Sequence, residues 1–582
     1  MALVSDESLS PNLSSVTQKE LVAHLASCDL LDLSKRNEAG RTIAGPLLRE
    51  VLIDKGADRD PRGLSVVGAL ISDVLDLSYC TMPVPLRLRG AVFNDVLKLV
   101  GATITGQFEL TGSELNGRND HGNALAADLM RVDGDTLLAQ LHVTGGAVRL
   151  MDATITGALV LTGAELNSED DDGDALVADR ICVDGDAFMD LKVAGGAVRL
   201  VGATITGALV LTGAELNGRN DHGNALAADR MRVDGSAFLK ELKVTGGAVR
   251  LTNATIKGHL DLTGAKLNGK DDYDDALVAD RVCVNGDALL SRIEVPQGAV
   301  RLMGATITGQ LKLLKAELNG KNDHNNALAA DRIRVDGSVF LKNMKVARCA
   351  TLALRYGRLG NLVLDDDPPP GGWHQHNLVG LRYEQIHEGP AGSARQGAHL
   401  LASQADRPRA AQPYWQLADY YARVGNETAA RRLRVWSNVL QSRARLRSWP
   451  RFLYGLTTGF GYYPFLTLFW LAVLIGIDAA AVNAHSSDFI PTKAPAISAP
   501  LAKDQKPVNS SVCTSRYPCF DPWLYATDTV VPVISLGQQD AWRLDQSRAG
   551  AGIRVTLLFT SALGWILTTL LIGGVGGLLR RS

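Results

Sequence analysis

GAVRLMDATITGALVLTGAELN, residues 146–167, and DALVADRICVDGDAFMDLKVAG, residues 174–195, decide the fold. Each piece is 22 residues long, and a six-residue polar segment, Ser168 to Gly173, separates them. Short alternating stretches (Val148, Leu150; Leu159, Leu161; Ile181, Val183) are punctuated by Gly or other small residues. Period-two alternation between turn formers is the signature of strands, and nothing here repeats at the helical period. The two pieces therefore read as two coils of a β-helix, with the polar segment bulging as a loop from alternate coils. Inward Leu, Ile, Val, Phe and Ala would stack into a narrow dry core, and glycines would serve corners that need positive φ.

The same text recurs on both sides. Gly-Ala-Val-Arg-Leu begins at Gly146, Gly196, Gly247 and Gly298, and Ala-Leu-x-Ala-Asp places its aspartate at Asp128, Asp179, Asp229, Asp280 and Asp331. A fixed period of this kind means a stacked solenoid, in which each unit buries its apolar face only against its neighbours. The copies alternate. Three loops read Asn119-Asp120-His121, Asn220-Asp221-His222 and Asn322-Asp323-His324. The two between them are acidic, with Asp170, Asp171, Asp172 and Asp174, then Asp271, Asp272, Asp274 and Asp275. Three residues after the marker aspartate stand Arg131, Cys182, Arg232, Cys283 and Arg334. The array thus reads as duplication of a pair of units, with Cys182 and Cys283 facing solvent.

A net charge of −2 over 582 residues hides strong segregation. Met1 to Ser15 is polar and does not read as a signal peptide. Tyr462 to Val482 and Val555 to Leu579 reach the roughly 20 apolar residues that cross a bilayer. Arg431, Arg432, Arg434, Arg443, Arg445, Arg447 and Arg451 precede the first span, and Arg580 and Arg581 follow the second. The positive-inside rule puts both flanks, both termini and the β-helix in the cytoplasm of a two-span cell-membrane protein, with residues 485–552 outside. That loop holds Cys513 and Cys519, a disulfide an oxidising compartment permits. Four regions are expected: an N-terminal helical cap (1–60), the β-helix (61–390), a helical hairpin around Gly425 with a basic juxtamembrane helix (391–450), and the membrane domain (451–582). Asn377 to Ile386 reads as a last strand.

Leu64 to Leu77, the GAVRL…ATITG…LVLTGAEL units, Ala225 to Leu239, Pro413 to Leu433, GFGYYP at 459–464 and Phe520 to Gln538 together resemble a group of actinobacterial membrane proteins. These combine pentapeptide-like β-helix repeats with a two-span C-terminus and often carry the label "membrane-associated oxidoreductase". The resemblance covers nearly the whole chain. It implies a mainly β, right-handed β-helix solenoid of about 22 residues per coil, followed by the helical hairpin and two transmembrane helices. It carries no catalytic residue set.

No Gly-x-Gly-x-x-Gly stands between a strand and a helix, and there is no Walker A loop, CxxC pair or HExxH. No catalytic, cofactor-binding or metal-binding residue is therefore assigned, and no cofactor is expected. The acidic loops offer hard oxygen ligands but lack the spacing of an EF-hand, so they read as solvated turns. Arg149, Arg199, Arg250 and Arg301 should stack on one outer face, one every two coils, with Arg131, Arg232 and Arg334 as a second row. Such a column is either a ladder neutralised by the marker aspartates or a binding stripe for an acidic partner or lipid headgroups, and the first is preferred. Thr457-Thr458-Gly459-Phe460-Gly461 echoes a potassium filter but precedes the first span and is rejected as one. Trp523 to Gly537, between the spans, is apolar enough to re-enter the membrane, against the alternative of an amphipathic cap on a helical anchor. The reading adopted is a membrane-anchored cytoplasmic scaffold whose partners are the lipid bilayer and another protein. A homo-oligomer is compatible with it, and nucleic acid is not expected. An oxidoreductase and a two-span pore gated by the solenoid are the alternatives.

Overall fold

Residues 146–195 do wind as two coils, and each coil is made of four very short strands. In the first, Thr154–Ile155, Leu159–Val160 and Glu165–Leu166 are followed by the polar loop and then Asp174–Val177. In the second, Cys182–Val183, Ala187–Phe188, Lys192–Val193 and Ala197–Arg199 follow without a loop. Leu159 lies beside Ala187, 28 residues on, and Ala187 beside Leu209, 22 residues on. Loop-bearing and loop-free coils thus alternate. The structure, a computed structural model, describes residues 15–27, 29–54, 59–364, 375–387, 411–444, 449–463, 465–493, 517–547 and 549–579. It divides into two compact units, Met1–Arg407 and Pro408–Ser582.

The first unit is a right-handed parallel β-solenoid of about 14 turns. One strand from each coil builds each of two 13-stranded parallel sheets, and two strands per coil build a 25-stranded one. Inward positions form columns. Ile104, Val132, Ile155, Val183, Ile205 and Val233 stack in register, and all are fully buried. Isoleucine and valine alternate there because β-branched side chains suit the pleat.

Corners depart from the expectation of glycine. One corner column holds left-handed backbone in every coil, yet includes Tyr79, Leu129, Asp152, Arg180 and Arg230 with φ between 54° and 59°. Each costs roughly 1–2 kcal/mol, offset by the ladder hydrogen bonds on both sides of the corner. Glycine returns where the coil before lays a side chain across it. A Cβ on Gly101 would stand 2.8 Å from the Tyr79 ring, and one on Gly380 would overlap Tyr356.

The N-terminal segment covers the first coil with helices Gln18–Ser27 and Gly45–Ile53, which bury Leu21, Leu25, Leu48, Val51 and Leu52. It also contributes strands: Leu31–Asp32 pairs with Val66 and Val67, and Thr42–Ile43 with Leu70 and Ile71. At the other end the anticipated single strand is two, Gln375–Asn377 and Arg382–His387, on different sheets.

In the second unit, helices Gln412–Arg423 and Glu427–Ala444 pack as a hairpin about Gly425, which takes φ +83°. Leu417, Ala418, Tyr421, Ala430 and Leu433 are buried between them, and Trp415 Nε1 donates to Ser437 Oγ at 2.9 Å. The filter-like sequence closes helix Trp449–Thr458 as a turn, with Gly459, Phe460 and Gly461 all at positive φ. Leu466–Ala484 and the helix from Ala551 are long and apolar enough to cross a membrane, and most of each faces outward from the protein. Between them, helix Pro522–Val530 packs against both.

Candidate functional site

The arginine column is where the repeat puts charge. Arg149, Arg199, Arg250 and Arg301 lie on one sheet, one every second coil, with Val177, Ala227 and Val278 between them. Each arginine meets the marker aspartate of the coil before. Arg149 pairs with Asp128 at 2.8 Å, Arg199 with Asp179 at 2.5 Å, Arg250 with Asp229 at 2.8 Å and Arg301 with Asp280 at 2.7 Å. The carboxylates have a second task, because they accept the backbone N–H of Met151, Val201, Thr252 and Met303 in the following coil. A charge-assisted bond of this kind is worth about 1.5–3 kcal/mol. The column is therefore self-neutralised, and the second row is interrupted. Arg131 and Arg232 are separated by Thr154, Cys182 and Thr204, while Arg232 and Arg334 pair locally with Asp234 and Asp336.

Arg199 and Arg301 have a second carboxylate each, Asp174 at 3.1 Å and Asp275 at 3.3 Å, both almost fully buried. Burial pushes the Asp174 carboxyl up to about 6 despite Asn220 and Arg199, and it raises Asp275 as well. Asn220 Nδ2 donates to Asp174 at 3.0 Å, and Asn322 Nδ2 to Asp275 at 3.1 Å. The loops themselves are turns. Asp170 Oδ1 accepts the N–H of Asp172 and Asp174, and Asn220 Oδ1 those of His222 and Asn224. Among the described residues no cluster of His, Cys, Asp or Glu is arranged to hold a metal ion.

A second charged column escaped the sequence reading. On the sheet built from Glu165–Leu166 and its equivalents, Glu165 pairs with Lys192, Glu215 with Lys243, Lys266 with Glu294 and Glu317 with Lys345, at 2.6–3.3 Å. Its signal was legible: opposite charges recur one coil apart in the text. The 25-stranded sheet is different. Leu137, Val160, Phe188, Val210 and Phe238 occupy outward positions in five successive coils, half-buried or exposed, without charge between them. Cys182 and Cys283 are free and half-buried on the neighbouring outward column. Cys519 is disulfide-bonded, while Cys513, the residue proposed to pair with it, lies outside the described residues.

In the second unit, Phe489, Phe520, Tyr525 and Trp542 form an aromatic cluster with Val482. Below it Asp478 of the first span, fully buried, accepts a hydrogen bond from Thr560 Oγ1 of the second at 2.8 Å. Deeper still, Val530 packs with Leu471 and Leu567.

These features define a class: a parallel β-solenoid joined to a unit with two helices that can cross a membrane. No family model, curated protein or solved structure matches the chain.

Proposed function

We propose that the protein is a membrane-anchored interaction platform, its two spans fixing a rigid solenoid on the cytoplasmic side of the cell membrane. The arginines that flank both spans support that orientation. The observation that carries the reading is the uncharged outward column Leu137, Val160, Phe188, Val210 and Phe238. On the other two sheets the outward ladders pair arginine with aspartate and lysine with glutamate, so this stripe is the surface offered to an apolar partner face. The proposed partner is a protein with a complementary apolar strip about five coils long, roughly 24 Å at the strand spacing. A photo-crosslinking residue placed at Phe188 should yield one discrete adduct in native membranes, and Phe188→Glu on a neighbouring-site probe should abolish it. Absence of any adduct would count against the platform. A stoichiometric flavin, nicotinamide or redox metal in protein purified from its own membrane would overturn it in favour of the oxidoreductase that the resemblance implies.

A further inference from the structure

The segment between the spans carries more than an anchor needs. Asp521 caps helix Pro522–Val530 by accepting the N–H of Trp523 at 2.8 Å and Leu524 at 3.2 Å. The helix starts beside the aromatic cluster and ends at Val530, against Leu471 and Leu567. Gly564 of the second span is the contact point: a Cβ there would overlap the Val530 carbonyl. Gly564 lies ten residues beyond Arg554, where the apolar run begins. At about 1.5 Å per residue that is about 15 Å, the middle of a hydrocarbon layer about 30 Å thick. On the first span the contact lies somewhat past the middle, since Leu471 is 13 residues from Ala484, about 20 Å. In a bilayer crossed by the two spans, the helix enters and stops at mid-depth, and residues 531–537 return. Asp528 ties the return to the helix by accepting the N–H groups of Leu536 and Gln539 at 3.0 Å, and Gln539 donates to Thr529 at 2.8 Å.

The return is unsatisfied where lipid can offer nothing. Ile534 N–H reaches the Val531 carbonyl. Among the described residues, however, the N–H groups of Val533 and Ser535 and the carbonyls of residues 532–535 have no hydrogen-bond partner. Val533, Ile534, Ser535 and Leu536 are all exposed. Irregular backbone persists at that depth only against protein or water. Carbonyls outnumber N–H groups because Pro532 has none to give and that of Ile534 is spent on Val531, and the helix presents its negative C-terminal end to the same place.

We propose that copies of this chain assemble around the return segment Val531–Gly537, which lines a hydrated mid-bilayer cavity that accepts a monovalent cation. The assembly is required, since one copy leaves that backbone bare. The proposal shares with the platform reading only the membrane anchor.

The test is the full chain carrying Ser535→Cys in lipid vesicles, compared with the parent chain and with Phe469→Cys on a lipid-facing site. Membrane-impermeant cationic and anionic methanethiosulfonates are the probes, and added mass is the readout. The cationic reagent should modify Ser535→Cys about tenfold faster than the anionic one, and Phe469→Cys should resist both. Mild oxidation should link Ser535→Cys copies into dimers. Equal rates, no modification, or no linked copies in chain that an alkaline carbonate wash leaves in the vesicles overturns the cavity and spares the anchor. Release by that wash overturns the anchor itself.

Discussion

Asparagine and aspartate are one atom group apart, and the solenoid uses the difference to keep its units in order. Each loop residue stacks on the strand start of the unit before: Asp170 on Gly122, Asn220 on Gly173 and Asp271 on Gly223. The strand residues that follow are Asn123, Asp174 and Asn224, so every contact joins one amide to one carboxylate. Asn220 to Asp174 and Asn322 to Asp275 show the bond directly. Asn123 Oδ1 and Asn224 Oδ1 are buried without a hydrogen-bond partner. The change Asn220→Asp should therefore set two buried carboxylates together and cost about 2–4 kcal/mol. Adding Asp174→Asn should recover most of that loss, as a double-mutant cycle by thermal melting would read. The pH dependence has a definite sign. Asp174 titrates at about 6 in the folded chain, above its ordinary 3.8. The folded state thus holds the extra proton between about pH 4 and 6, and this group's contribution to stability falls as pH rises through that window. Melting at pH 4 and pH 7 should show Asp174→Asn gaining on the parent chain at the higher pH. An unchanged gap would remove Asp174 as the source.

At the scale of the element, a two-residue strand is too short to hold itself, and its register comes from the coils above and below. The alternation read in Ile181 and Val183 identified strands correctly, yet it did not show that each coil has four of them or that two strand columns share one sheet. Corner chemistry was only half legible. Glycine marks a corner where a neighbour's ring crosses it, as at Gly101, but Leu129 and Arg180 turn the same corner because the ladder over-determines them. The helix Pro522–Val530 is the element whose place decides most. Gly564 admits the Val530 backbone, so Gly564→Val should force that helix away from the second span. A fall of several degrees in melting temperature in detergent, with faster proteolysis near Asp528, would check it. An unchanged melting point and cleavage pattern would show that the helix does not sit there. Asp478→Asn keeps an oxygen for Thr560 and should melt close to the parent, whereas Asp478→Ala should cost about 1 kcal/mol.

For the whole molecule the solenoid is a one-dimensional stack in which each unit answers only to its neighbours. Removing residues 146–246 deletes one acidic and one histidine-bearing loop, and it leaves Asn123 facing Asp271, an amide against a carboxylate. Removing residues 197–247 deletes one loop and leaves Asp174 facing Asp271. The longer deletion should melt near the parent chain. The shorter should be less stable by about 2–4 kcal/mol at pH 7 and recover toward pH 4, where a shared proton relieves the pair. Equal melting of the two deletions would show that pairing of units carries no energetic weight.

By itself the sequence determined whatever repeats or runs long: the period, the two coils per unit, the loops on alternate coils, the helical hairpin and the two spans. Each is set by local hydrophobic pattern, which a chain shows without being folded. The arginine column and its aspartates were legible too, because stacking at a fixed period carries any residue onto its own copies. Tertiary structure alone decided what depends on contacts across the period: which aspartate closes on which arginine, why asparagine must meet aspartate between units, and which sheet is left apolar outside. It also decided where helix Pro522–Val530 packs, because nothing in those nine residues says that they lie against the helix from Ala551, where Gly564 makes room for the Val530 backbone.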